Sequence, residues 1–402
     1  MGQFKRVCYD CGAQQQDRGY TEFCDTCGDG LIGYQYPSVD LYNVRSTKPN
    51  IPHFFQLYRV LPFDTDFESS KNGFDPKLDP VGLIEAEALE QELFPNGEAK
   101  IHLADSTRRG GTNSLKDPDA TVILYRLHEL GFDRFAVAST GDCGASLCYV
   151  GSALGMDIHL FVPEDCYDRW SLLENEIREA GLIDDNKIHI YKQGDTMHDA
   201  YEIARQFGKQ NGLPYDYFFN NQLRIEGSKT IHIEVMEHLG RSPDVYVQAL
   251  GSGTGLFAMH KACKDLGLPM PQLVGVQPNG CAPMALASQG KPLQEKADTY
   301  IMGIGLPKLG PCFKYLKALG TEFLSVHEGG KGAEKAGIEE AIGVLQDAGI
   351  PNPGLEASLS VAGVRKISPE IRNRAEKEGR TLDVVLGITG PLREGDRQSL
   401  RN

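Results

Sequence analysis

Short apolar runs alternate with amphipathic stretches along most of the chain from about residue 100. Phe135-Ala136-Val137-Ala138 and Ile158-His159-Leu160-Phe161-Val162 are brief apolar runs between polar turns, the pattern of buried strands. Lys187–Tyr191, Val245–Leu250, Leu273–Val276 and Asp383–Ile388 read the same way. Between them, Ala145–Leu154, His198–Gly208, Lys229–His238, Leu256–Leu266, Ala333–Ala348 and a segment near Glu356–Lys366 space their apolar residues as helices do. Strands alternating with helices predict parallel sheets covered on both faces, an α/β fold. Residues 36–100, rich in Pro, Asp and aromatics, predict irregular structure with one helix around Val81–Leu93.

A chain of 402 residues makes two or three domains. The pattern divides it into a cysteine module (1–35), a linking segment that begins a large domain (36–120), a small domain (121–225) and the rest of the large domain (226–402). The formal charge of −14 argues against nucleic-acid and anionic-membrane partners, whose phosphates attract Lys and Arg. No apolar stretch approaches the roughly 20 residues that span a bilayer. Met1-Gly2-Gln3-Phe4-Lys5-Arg6 leads into cysteines, not an apolar signal segment, so a cytoplasmic protein is expected.

Four of the ten cysteines fall in one block, Cys8-x2-Cys11 and Cys24-x2-Cys27. In a reducing compartment this spacing predicts metal ligation. Each pair places two thiolates on one tight turn, Gly12 and Gly28 follow the pairs, and two turns close a tetrahedral zinc site. All four positions are then filled, so the site is structural. The alternative is four free or redox thiols. The remaining cysteines are scattered and read as small buried residues.

Three further segments carry candidate chemistry. Lys116 follows small and polar residues in Gly111-Thr112-Asn113-Ser114-Leu115-Lys116-Asp117, as an amine must if a flat ligand is to reach it. A desolvated pocket favours the neutral amine; the plain alternative is a solvated lysine. Ser139-Thr140-Gly141-Asp142-Cys143-Gly144 joins a predicted strand to a predicted helix, where unpaired N–H groups and the helix dipole favour a carboxylate. Its plain alternative is a helix cap. Gly251-Ser252-Gly253-Thr254-Gly255 occupies another strand-to-helix turn and predicts an anion site. No Gly-Lys-Ser/Thr follows, and the third glycine is displaced from the dinucleotide fingerprint, so a monophosphate fits better than a pyrophosphate. Thr389 ends the last predicted strand. Alone it is a turn residue, but a neutral hydroxyl beneath a pyridine nitrogen suits elimination and replacement more than transamination. A reactive amine, a carboxylate turn and a monophosphate loop are the parts needed to hold pyridoxal phosphate and an amino-acid substrate.

The order and spacing of these segments resemble the fold-type II pyridoxal phosphate enzymes, and among them the threonine synthases. Ser114-Leu115-Lys116-Asp117 is similar to the family's Ser-Phe-Lys-Asp, and the run from Asn221 through Arg224 to Thr230 is similar to its Asn-Pro-x-Arg-x-Glu-Gly-x-Lys-Thr. Val274–Gln277 with Cys281-Ala282-Pro283, then Glu356-Ala357-Ser358 and Thr389-Gly390, match further stretches. The resemblance implies two open parallel-sheet domains of the tryptophan synthase beta type, plus the small zinc ribbon, in a homodimer. It implies that Lys116 forms the Schiff base and acts as base at the α-carbon. Ser139, Thr140, Gly141 and Cys143 would meet the substrate carboxylate, and Arg224 another part of the substrate. Asp142 would lie at the cofactor's phenolic oxygen, Gly251, Ser252, Gly253, Thr254 and Gly255 at its phosphate, and Thr389 at its ring nitrogen.

The sequence also departs from the family. Pro118 stands where an arginine usually follows Lys-Asp, and Phe218-Phe219 stand where Asn-Ser help bind a substrate phosphate. Arg108-Arg109 read either as a binder of an anionic leaving group or nucleophile, or as a solvated basic pair. The activity implied is elimination or replacement on an amino acid with a β- or γ-leaving group. Threonine synthase (O-phosphohomoserine and water to threonine and phosphate) stands level with β-replacement or elimination on serine or phosphoserine, as in cysteate synthases and dehydratases. A catalytically silent zinc-ribbon scaffold is the reading of another class.

Overall fold

The computed structural model describes residues 4–16, 23–28, 30–48, 50–63, 74–216, 222–328 and 331–401. In chain order the elements begin with β1 (Lys5–Cys8), β2 (Gln14–Gln15), β3 (Ile32–Gln35), β4 (Gly82–Glu85), α1 (Glu87–Leu93), β5 (Ala99–Asp105) and α2 (Lys116–Glu129). Next come β6 (Arg134–Ala138), α3 (Asp142–Leu154), β7 (Asp157–Val162), α4 (Tyr167–Glu179), β8 (Ile188–Lys192), α5 (Met197–Asn211), α6 (Gln222–Leu239), β9 (Val245–Ala249) and α7 (Thr254–Leu266). The chain continues with β10 (Gln272–Pro278), α8 (Pro283–Ser288), α9 (Phe313–Ala318), β11 (Glu322–Val326), α10 (Lys331–Asp347), α11 (Leu355–Glu378), β12 (Leu382–Ile388) and α12 (Glu394–Arg401). They form two compact units. The first takes residues 1–80, 110–231 and 265–267, and the second takes 81–109, 232–264 and 268–402.

The first unit holds two three-stranded sheets. One is antiparallel, in the order β2-β1-β3, and carries the cysteine pairs. The other, β6-β7-β8, is parallel. Its strands alternate with helices, and α5 presents Ala200 and Ala204 to Ala136, Ala138 and Phe161. Thr196 and Asp199 form a reciprocal capping box that starts α5, and Gly212 in the left-handed region ends it. Phe55 and Phe63 each pack on Tyr125 of α2, with ring centroids 4.9 Å apart, and so fix the helix that begins at Lys116.

The second unit is a six-stranded sheet in the order β11-β10-β9-β12-β5-β4. Five strands are parallel; β4 runs antiparallel to β5 at one edge. The expected helix at Val81–Leu93 is therefore two elements. Gly82–Glu85 supplies the edge strand, and only Glu87–Leu93 is helical. β9 is buried throughout, consistent with its unbroken apolar run. The core joins Val247, Val276, Leu386 and Ile101 of the sheet to Ile338 of α10 and Val364 of α11. α11 spans 24 residues, about twice the expected stretch, and continues through Pro369. Gly363 lets it settle on the sheet, since a Cβ there would stand 2.5 Å from Val276 Cγ2.

Candidate active site and cysteine cluster

In the first unit, the loop before Lys116 is held by the aspartate that follows it. Thr112 N and Ser114 N donate to Asp117 Oδ2 (3.0 and 3.2 Å), and Thr112 Oγ1 donates to Asp117 Oδ1 (2.7 Å). Gly110, Gly111 and Asn113 all lie at positive φ, and a Cβ on Gly111 would stand 2.8 Å from the Tyr149 ring. These conformations fold the loop back over Asp117. Burial pushes the Asp117 carboxyl up to about 6, against the opposing hydrogen bonds of Ser146 and Thr112. Lys116 is the first residue of α2, not a loop residue, and its side chain is 29% exposed.

The second predicted segment of this unit runs from β6 into α3. Ser139 is buried and its Oγ accepts from Gly144 N at 2.9 Å, so it caps the turn. Gly141 faces open space: a Cβ there would meet nothing within 4 Å. Cys143, in the first turn of α3, accepts from Arg224 Nη2 at 3.0 Å. Burial raises its thiol pKa, while the charges of Arg224 and Lys116 act the other way. Arg224 is itself paired with buried Asp216. Its guanidinium is thus already neutralised within the fold. Phe218, Phe219 and Asn221 lie outside the described residues.

Asp119 was not marked by sequence motif. It is 1% exposed, its Oδ1 accepts from Ser228 Oγ at 2.6 Å, and its Oδ2 lies 3.6 Å from Lys116 Nζ. The signal available was its position three residues beyond Lys116, on the same helix face.

In the second unit, β9 leads through Gly251-Ser252-Gly253 into α7, which starts at Thr254. Gly253 has φ of +83°, and a Cβ there would stand 2.8 Å from Leu316 Cδ1. A Cβ on Gly255 would meet Gln248 Nε2 at 2.6 Å. Ser252 Oγ and Thr254 Oγ1 share a hydrogen bond of 2.8 Å. Gln277 braces the loop from β10, donating to Leu250 O (3.4 Å) and accepting from Met284 N (2.9 Å). Thr389 follows β12, which pairs with β9 in the register Gly387 to Gln248. The glycine loop and Thr389 therefore leave the same edge of two neighbouring parallel strands. A glycine-rich loop at the start of a 13-residue helix, with hydroxyls in and beside it, fits a phosphate-bearing pyridine.

Arg109 is neither an open anion binder nor a solvated charge. It is 1% exposed and donates to Glu234 at 2.8 Å. Arg108 pairs with Asp105 at 2.8 Å while its side chain stays half exposed.

The Sγ atoms of Cys8, Cys11, Cys24 and Cys27 all lie within 4.8 Å of one another. Amide donors reinforce both turns: Asp10 N points to Cys8 Sγ (3.4 Å) and Thr26 N to Cys24 Sγ (3.3 Å). Gly12 and Gly28 adopt the positive φ their place after each pair calls for. Burial raises the Cys8 thiol to about 12; at Cys24 burial is outweighed by the amides of Cys27 and Thr26, which draw it down to about 6. Four convergent sulfurs with amide support fit a tetrahedral soft-metal site.

The sequence model of a family described as pyridoxal-phosphate dependent enzyme matches residues 80–333. Threonine synthase of Methanosarcina acetivorans is 26% identical over 377 residues, covering 90% of this chain and 86% of that protein. Cysteate synthase of Methanosarcina barkeri is 26% identical over 303 residues, covering 72% and 67%. Among solved structures, threonine deaminase isoform 2 of Solanum lycopersicum superposes with a TM-score of 0.64 at 19% identity, covering 81% of this chain and 83% of that one. Diaminopropionate ammonia lyase of Escherichia coli gives 0.61 at 17% identity, covering 90% and 95%. These structures share the fold.

Proposed function

From its membership of the pyridoxal-phosphate dependent enzyme family, we propose that the chain carries out elimination or replacement on an amino acid with a β- or γ-leaving group, Lys116 being the residue that holds the cofactor. The observation that carries this reading is the loop locked by Asp117, which presents Lys116 at the start of α2. Bound pyridoxal phosphate supplies an electron sink that makes the substrate's α-proton acidic. Gly251, Ser252, Gly253, Thr254 and Gly255 would hold its phosphate with backbone N–H groups and two hydroxyls. Thr389 would offer a neutral hydroxyl to its ring nitrogen, and Asp142 would serve its ring oxygen.

Ser139, Thr140, Gly141 and Cys143 receive the substrate carboxylate at the N-terminus of α3, where open space at Gly141 leaves room for it. Lys116 would serve as the base that takes the substrate's α-proton. Arg224 orders this site from behind through Cys143 and Asp216. The Cys8, Cys11, Cys24 and Cys27 cluster holds a structural zinc ion. The protein works in the cytoplasm as a homodimer on a small amino-acid substrate.

Similarity to the threonine synthase extends over most of both chains and favours O-phosphohomoserine with water. Similarity to several cysteate synthases favours β-replacement on phosphoserine. Phosphate release from O-phosphohomoserine and from O-phosphoserine with sulfite, followed with product identification, separates the two. Threonine as product supports the first; cysteate supports the second. Lys116→Ala is expected to abolish both the activity and the cofactor's visible absorbance. A variant that keeps either refutes the assignment of Lys116.

A further inference from the structure

Asp119 is a buried carboxylate placed for the Lys116 amine. Its Oδ1 is held by Ser228, and its Oδ2 has no hydrogen-bond partner among the described residues and lies 3.6 Å from Lys116 Nζ. The contact is built by close packing of α6 on α2. A Cβ on Gly227 would stand 2.4 Å from Pro118 O and 2.5 Å from Asp119 Cα, so only glycine lets Ser228 reach the carboxylate. Pro118 is tolerated beneath it because first-turn N–H groups have no partner within the helix.

A buried carboxylate is costly to keep ionised without a cation. The charges acting on Asp119 are Lys116 of α2 and Arg224 of α6. Arg224 is already paired with Asp216 and bonded to Cys143 of α3. Burial raises the carboxyl's pKa, with Lys116, Arg224 and Ser228 opposing it.

We propose that Asp119 is a positioning residue that holds and returns the proton of the Lys116 amine. With Lys116 as ammonium, Asp119 is a carboxylate. When the amine must be neutral, one N–H bond breaks, an O–H bond forms on Oδ2, and the pair stays neutral without another reactant. The inference rests on the assignment of Lys116 as the cofactor lysine.

The test uses the full chain freed of cofactor, incubated with pyridoxal phosphate from about pH 6 to about pH 9, trapped with borohydride and mapped by mass spectrometry. Asp119→Asn keeps an acceptor for Ser228 but carries no charge. Trapping on Lys116 is expected in both proteins, with the midpoint about one pH unit lower in the variant, since the amine has lost its anion. Its kcat is expected to fall with KM unchanged. Equal midpoints overturn the role of Asp119. Trapping on another lysine instead overturns the assignment of Lys116. If Asp119→Asn does not fold, Ser228→Ala takes its place. Losing the donor on Oδ1 raises the carboxyl's proton affinity and lowers the midpoint by less, and an unmoved midpoint again overturns the inference.

Discussion

The run that contains Arg224 also contains a second lysine, and the structure gives it a different task. Lys229 is fully buried, donates to Asp265 at 2.7 Å and pairs with Glu226, which also accepts from Tyr36 at 2.8 Å. Its ammonium sits 4.1 Å from the Tyr36 ring centroid. Lys229→Met removes one cation and leaves two buried carboxylates facing each other. Breaking a buried pair by deleting one partner costs about 3–5 kcal/mol. At about 2–4 °C per kcal/mol, the first unit's melting transition should fall by on the order of 10 °C.

The effect of pH has a definite sign. Burial opposes the charge on Lys229, but Asp265 and then Glu226 outweigh it and raise its pKa. A raised lysine pKa contributes stability that is complete below about pH 10 and is lost only above it, so the wild-type contribution is flat across neutral pH. In the variant the stranded carboxylates bind protons more tightly when folded than when unfolded, so the deficit shrinks as pH falls from 8 to 5. Calorimetry at both values measures it. A deficit below about 1 kcal/mol, or one equal at both pH values, refutes the reasoning. Cofactor trapping at Lys116 should be unaffected.

Gly255→Ala places a Cβ against Gln248 Nε2 and should weaken pyridoxal phosphate binding at least about ten-fold, measured by absorbance titration; Gly251→Ala, whose Cβ would stand 3.3 Å from Ile304 Cγ2, should cost less. Metal analysis of the purified protein should find about one zinc per chain, reduced by Cys24→Ser, and a metal-free protein with an unchanged melting profile would contradict a structural site. Asp117, raised to about 6 in the fold, contributes stability that is complete below about pH 4 and lost as pH rises through about 6. The stability difference between wild type and Asp117→Asn should therefore change across that window; a constant difference contradicts the burial of its charge.

The alternation of strands and helices was legible because buried parallel strands read as unbroken apolar runs. The glycine loop and the cysteine pairs were legible because their chemistry depends on local conformation: Gly253, Gly12 and Gly28 adopt the positive φ their turns call for. What escaped was long-range pairing. Nothing local says that Arg224 is neutralised by Asp216, that Arg109 is buried on Glu234, or that Gly227 exists to seat α6 on Asp119. The edge strand at Gly82–Glu85 was read as helix because its few apolar residues also fit a helical period; pairing with β5 decides for the strand. The length of α11 was hidden by Pro369, a residue that usually stops a helix.

The order of the second sheet has a consequence for synthesis. β12 is the last of its strands to leave the ribosome, yet it lies between β9 and β5, pairing with both. Until residues 382–388 emerge, the nascent chain carries two apolar strands with unsatisfied edges and no closed core. Such edges recruit other chains. The second unit therefore cannot close its sheet until residues 382–388 have been made, long after its strand β5. A ribosome stalled before Leu382 would leave a chain whose first unit can form and whose second cannot.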